Sequence, residues 1–289
     1  MLQLSQDLKP DRQIAIALGG GGARGLAHIV AIEALDELGV RPSQIIGTSM
    51  GAIIGAAYAA GVPGAALRTH ALAALKDRTK VLARLLEARV GKMSDLFVRG
   101  LGNPVLVDGE KVLDLFWPEA VPDLFADLAI PFSAVAADYY ARCEAVFDRG
   151  SLVTGVAASM AIPGLVRPVL ANGRVYVDGG IVNPLPFDLL PDDALVIAVD
   201  VTGGPASEGT EAPEPFEALL GAAQIMQGAI VEQKLRARRP AVLVRPRVGG
   251  FHALDFFRGK AILQAAEPIR EELKRAIAAA LAGEVSAAR

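Results

Sequence analysis

A serine held between two glycines, Gly47-Thr48-Ser49-Met50-Gly51, can serve as a hydroxyl nucleophile if the backbone presents it. The residues before it, Ser43 to Ile46, read as a short strand. The small apolar run after it, Ala52 to Ala60, reads as a buried helix stopped by Gly61 and Pro63. A serine at a strand-to-helix turn is the pattern of a nucleophile elbow, in which Gly47 and Gly51 keep the turn tight enough to expose the hydroxyl. The helix that begins there points its first backbone N–H groups at any anion forming beside that hydroxyl. A bare G-x-S-x-G match also arises by chance, so the weight rests on this context.

Ester hydrolysis needs two further parts, a base and donors for the oxyanion. The run Gly19-Gly20-Gly21-Gly22-Ala23-Arg24-Gly25 follows a buried strand, Gln13 to Leu18. Its amides at Gly20, Gly21 and Gly22 can approach a substrate closely, and the Met50 N–H after the serine would be the second arm. Arg24 would fix the loop or add positive charge. The rival reading of this run is a nucleotide-phosphate loop. A P-loop needs Lys-Ser or Lys-Thr after the final glycine, where this chain has Leu26-Ala27. Gly20, Gly22 and Gly25 match the dinucleotide spacing, yet the next strand ends in Gly47-Thr48 without the required acid.

For the base, the chain has three histidines. His28 sits on the first helix beside the glycine run, His70 in a basic helical segment, and His252 beyond the last expected strand. Of these, only His252 falls where a triad histidine might. Asp178 is the better candidate, at the end of the strand Arg174–Val177 and followed by Gly179-Gly180, which presents its carboxylate at the sheet edge that carries Ser49. An aspartate acting on serine without histidine needs a dry site to raise its basicity. Asp138 and Asp200, also at strand ends, are rivals with structural alternatives.

The elements that must position these residues follow from periodicity. Leu26 to Leu38 repeats apolar residues at helical spacing, so strand, helix, strand, helix opens the chain with parallel pairing and right-handed crossovers. From Gly64 to about Gly102, leucines alternate with Arg68, Lys76, Arg78, Lys80, Arg84 and Arg89. This inserted helical segment reads as a lid over a lipid site or as a solvated amphipathic surface. Further helices are expected at Gly109–Phe116, Ser151–Met160 and Ala261–Leu281, with another from Phe216 to Arg236 carrying Phe216, Leu219, Ala223, Met226 and Ile230 on one face. Strands are expected at Ile130–Ala137, Cys143–Phe147, Ala194–Val199 and Ala241–Val244. Gly203 to Pro215 is rich in Pro, Gly and Glu and reads as a flexible loop.

At 289 residues and 52% hydrophobic with only 5% aromatic, the core must be built from Ala, Val, Leu and Ile. Balanced charge (29 basic, 32 acidic, net −3) argues against a nucleic-acid partner. One cysteine, Cys143, permits no internal disulfide and suits a reducing compartment. Met1 to Pro10 shows no secretory pattern, and Ile45 to Val62 is broken by glycines and short for a membrane span, so a soluble, cytoplasmic protein is expected. Lys234 to Arg247 contains six basic residues and no acid, which suggests peripheral contact with anionic lipid or a plain solvated surface.

Three motifs in order, Gly20-Gly21-Gly22-Ala23-Arg24-Gly25, Gly47-Thr48-Ser49-Met50-Gly51 and Asp178-Gly179-Gly180, resemble the signatures of the patatin-like phospholipases, and Ala23 to His28 resembles the bacterial members. Ala158-Ser159-Met160-Ala161-Ile162-Pro163-Gly164 resembles the block that precedes the family's aspartate signature, and the likeness runs from about Ile14 to Asp200. It implies a three-layer α/β/α fold with a central, mostly parallel sheet. It further implies a lipid acyl hydrolase with Ser49 as nucleophile and Asp178 as proton acceptor, with Gly20 to Gly22 and Met50 holding the oxyanion. Gly25, Arg24, Gly47, Gly51, Gly179 and Gly180 would support that site, and no cofactor or metal is called for. The expected organisation is a catalytic core at 14–202 with the insertion at about 64–102, a flexible loop at 203–215, and helices and a strand at 216–289 packed on the same domain. A catalytically idle regulatory protein of the same fold is the alternative, and a nucleotide-binding protein the weaker one.

Overall fold

The structure is a computed structural model, and it describes residues 13–90, 106–204 and 212–283. The later part of the basic insertion, most of the Pro/Gly-rich loop and the last six residues lie outside them.

The chain opens with β1 (Ile14–Leu18), a 3-10 turn at Gly22–Ala27, α1 (His28–Leu38), β2 (Gln44–Thr48) and α2 (Met50–Ala59). Next come α3 (Gly64–Lys76) and α4 (Arg78–Glu87), then a short pair, β3 (Arg89–Val90) and β4 (Leu106–Val107). After α5 (Gly109–Phe116) come β5 (Phe132–Asp138), β6 (Cys143–Phe147), α6 (Leu152–Ser159), β7 (Val169–Ala171) and β8 (Arg174–Asp178). The chain closes with β9 (Leu195–Val199), α7 (Pro215–Ala237), β10 (Val242–Val244), α8 (Gly259–Ala266) and α9 (Ile269–Leu281).

Eight strands form one mixed sheet, in the order β10-β9-β1-β2-β5-β8-β7 with β6 also on β5. The pairs from β10 to β5 are parallel, and β5–β6, β5–β8 and β7–β8 are antiparallel. Side chains alternate across the sheet, which is why both faces are buried. Ile16 and Leu18 join the larger core with Ile29, Ile53, Leu152 and Leu273, whereas Ala15 and Ala17 join Phe187, Val231 and Leu235 on the opposite face. The result is three layers.

Most expected elements lie within two residues of their observed ends. The single closing helix is instead two, because Pro268 lacks the N–H that would continue the ladder and starts α9 afresh. The first helix starts as a 3-10 turn. On α7, Leu219 and Met226 are exposed, and Val231 and Leu235 carry the packing. Strand β7 was too short to read from alternation.

Ion pairs strap the C-terminal helix to the front of the chain. Glu33 on α1 takes Arg68 of α3 at 2.6 Å and Arg270 of α9 at 2.5 Å, while Glu37 pairs with Arg270 and Lys274. Glu33 is nearly buried, so two guanidinium partners offset its desolvation and hold its carboxyl below the usual range. Among the described residues no helix is long and apolar enough to cross a membrane.

Candidate active site

Strand β5 sets the geometry. Strand β2 runs along it in parallel as far as Thr48 opposite Val135, and β8 arrives antiparallel, ending with Asp178 opposite Ala136. Because β6 spans Ala134 to Asp138, β2 and β8 must share the other edge of β5 and meet there end to end. Ser49 follows the last residue of β2, and Asp178 is the last residue of β8. The sheet itself brings a serine and an aspartate 129 residues apart into contact, with Ser49 Oγ donating to Asp178 Oδ2 at 2.7 Å.

Ser49 adopts φ 54°, ψ −121°, a conformation that few non-glycine residues adopt and that turns the chain from strand into helix. The turn is as tight as the motif implied. A Cβ on Gly51 would stand 2.1 Å from Leu18 O, and one on Gly47 would stand 2.5 Å from Gly51 O. Gly25 is needed for the same reason against the Met50 side chain, and Gly179 against Val135 O.

The Asp178 carboxylate accepts the Gly180 N–H at 2.7 Å through its other oxygen. It is buried, and desolvation pushes its pKa up to about 6 despite the hydrogen bonds from Ser49 and Gly180, which pull the other way. An aspartate raised so far is a workable proton acceptor near neutral pH. The rival aspartates are occupied. Asp138 accepts from Ala141 N–H and Arg174, and Asp200 accepts from Thr202 N–H and Arg245.

The histidines do other things. His28 is fully buried and donates from Nε2 to Gly19 O at 2.7 Å; burial drops its pKa to about 4, so it is neutral and holds the glycine run. His70 lies on α3, and His252 is exposed beside Ala253, whose carbonyl accepts the Ala23 N–H.

Within the glycine run the amides divide. Gly20 N–H donates to Pro184 O at 2.8 Å, so this member of the expected set is spent on the fold and corrects the sequence reading. The Gly21, Gly22 and Met50 amides have no acceptor among the described residues. Arg24 is buried and donates from Nε to Gly21 O at 3.3 Å and from its terminal nitrogen to Gly204 O at 3.1 Å. In a trans peptide the C=O and N–H point apart, so anchoring Gly21 O aims the Gly22 N–H the other way. Arg24 thus fixes the loop.

A cavity of about 300 Å³ opens beside Ser49, Met50 and Gly22, and its walls are almost wholly apolar. Ile53, Val112, Met160 and Leu165 line it from the core, Val81 and Leu85 from α4, and Leu254 and Phe257 from the segment before α8. The sequence reading missed this last wall, although Phe251, Phe256 and Phe257 crowd together in a chain poor in aromatics. A larger open depression by Lys76, Asp77 and Lys80 is half polar and does not include Ser49.

The family model described as patatin-like phospholipase matches residues 16–191, which hold the glycine run, the elbow and the aspartate. The chain belongs to this family. An uncharacterized NTE family protein of Mycobacterium tuberculosis is 37% identical over 202 residues, 69% of this chain and 52% of that protein. Patatin-like phospholipase domain-containing protein 6 of Homo sapiens is 33% identical over 192 residues, 65% of this chain and 13% of that protein. The chain therefore spans about half the length of the mycobacterial relative and a small part of the human one. Among solved structures, VipD from Legionella pneumophila shares the fold with a TM-score of 0.50 at 15% identity, over 93% of this chain and 67% of that one. The matched span includes both Ser49 and Asp178, which the ends of β2 and β8 bring together on β5.

Proposed function

We propose that the protein is a serine hydrolase that cleaves acyl ester bonds of lipids, in the manner of a phospholipase A or lysophospholipase. The observation that carries this reading is the Ser49–Asp178 contact of 2.7 Å at the mouth of an apolar cavity. Membership of the patatin-like phospholipase family supports it.

In this mechanism Ser49 Oγ attacks the acyl carbonyl carbon while its proton passes to Asp178. The carbonyl π electrons move onto oxygen, and the Met50 and Gly22 amides, with Gly21 beside them, stabilise that charge. Collapse expels the alcohol portion of the lipid, which takes the proton from Asp178. Water then attacks the acyl-enzyme with Asp178 again as base, releasing the fatty acid and restoring the serine. The acyl chain occupies the apolar cavity.

Peripheral contact with a bilayer belongs to the same reading. The basic stretch 234–247 is partly consumed by the fold, since Lys234 pairs with Asp188, Arg238 with Asp192, and Arg245 with Asp200 and Glu232. Helix α4 is the better candidate. Its Val81 and Leu85 line the cavity, while the adjacent Leu82 and Leu86 are 52% and 59% exposed beside Lys80.

Labelling with a fluorophosphonate tests the chemistry. Wild type is expected to label, Ser49→Ala not at all, and Asp178→Asn at least a hundredfold more slowly. Equal labelling of Ser49→Ala would remove the assignment.

A further inference from the structure

The end of α6 touches both reactive residues from behind. In the ladder between β2 and β5, Ile45 N–H donates to Pro131 O at 2.9 Å. Parallel strands repeat such bonds every second residue, so the ladder calls next for Gly47 N–H to Ser133 O and then for Ser49 N–H to Val135 O. At Ser49 a hydroxyl stands in the way. Ser49 N–H donates to Ser159 Oγ at 2.8 Å, and the Ser159 hydroxyl donates to Val135 O at 2.6 Å. Ser159 is wholly buried, and two residues later Ala161 O accepts the Asp178 N–H at 2.9 Å. One short segment therefore holds the backbones of both members of the pair.

We infer that Ser159 is a positioning residue for Ser49: its hydroxyl, spliced into the ladder as an extra rung, lets Ser49 leave β2 and reach Asp178. The inference rests on the hydrolase reading above. A direct rung would hold Ser49 in the plane of the sheet, whereas the elbow needs it turned out at φ 54°. Simply deleting the rung would leave a buried N–H and a buried C=O unpaired, just where β2 gives way to β8. A hydroxyl donates once and accepts once, which meets both needs at this width. Alanine meets neither, and a carboxylate can only accept.

The test compares wild type with Ser159→Ala and with Ser159→Cys, which keeps nearly the same volume but forms only weak hydrogen bonds. Thermal melting is measured first, and fluorophosphonate labelling rate, kcat and KM on a soluble p-nitrophenyl ester are then measured well below the melt. For Ser159→Ala, labelling rate and kcat are expected to fall at least tenfold with KM within twofold and the pH midpoint unchanged. Ser159→Cys is expected to lose at least threefold in the same two quantities, and it serves alone if the alanine variant does not fold. A folded variant that labels at the wild-type rate, however low its melting temperature, overturns the inference. A crystal structure decides the point without activity, so it separates this failure from failure of the hydrolase reading. In either variant Ser49 Oγ is expected to move out of hydrogen-bond reach of Asp178; an unchanged contact overturns the inference.

Discussion

Burial shifts the pKa values of two groups beside the glycine run and the elbow in opposite directions. The folded chain holds the Asp178 proton more tightly than the unfolded chain, because its pKa is raised from 3.8 to about 6. Its contribution to stability is therefore present below about pH 4 and lost as the pH rises through 6. His28, lowered from 6.5 to about 4, contributes stability above pH 6.5 that is lost as the pH falls towards 4. The two slopes oppose each other over the same window. Asp178→Asn removes one of them without changing shape. It is expected to be more stable than wild type at pH 8, by on the order of 3 kcal/mol, with the gain gone at pH 4. Urea unfolding at the two pH values checks this, and an equally stable or weaker variant at pH 8 would show that the ionised carboxylate is held without cost.

At the scale of elements, the elbow and the cavity share a wall. Helix α2 begins with Met50, at the mouth, and turns Ile53 into the cavity one turn later. A methylene is similar in size to a water molecule, about 30 Å³, so 300 Å³ accommodates a chain of roughly ten carbons. Filling that space should shorten the preferred acyl chain. Ile53→Phe is expected to lower kcat/KM for a decanoyl ester at least tenfold relative to a butyryl ester, as one or two kcal/mol of lost apolar contact would do. An unchanged ratio would place the acyl chain elsewhere.

At the scale of the molecule, one end of the sheet carries the site, and α4 borders it with leucines turned both into the cavity and out to solvent. If that border rests on a bilayer, Ser49→Ala protein should sediment with vesicles containing anionic phosphatidylglycerol. Adding Leu82→Glu and Leu86→Glu should reduce the bound fraction several-fold. In the Ser49-intact background the same pair should leave hydrolysis of a soluble ester within twofold of wild type. Equal sedimentation of the leucine variants would move the contact off this helix.

Much of this was legible in the residues. Gly47 to Gly51, the glycine run and Asp178-Gly179-Gly180 each announce a local backbone need that side chains cannot meet, and periodicity placed nearly every strand and helix around them. The family and the types of group available for chemistry can be read from the residues alone, whereas His252 stayed open as a base until the structure placed it at an exposed position. How these groups meet follows from the packing of the strands. That β2 and β8 abut on one edge of β5, that Gly20 N–H is spent on Pro184, and that Ser159 fills a rung all depend on partners distant in the chain. Hydrogen-bond partners and desolvation are properties of packing, so the raised pKa of Asp178 comes from where the sheet buries it and not from the motif that carries it.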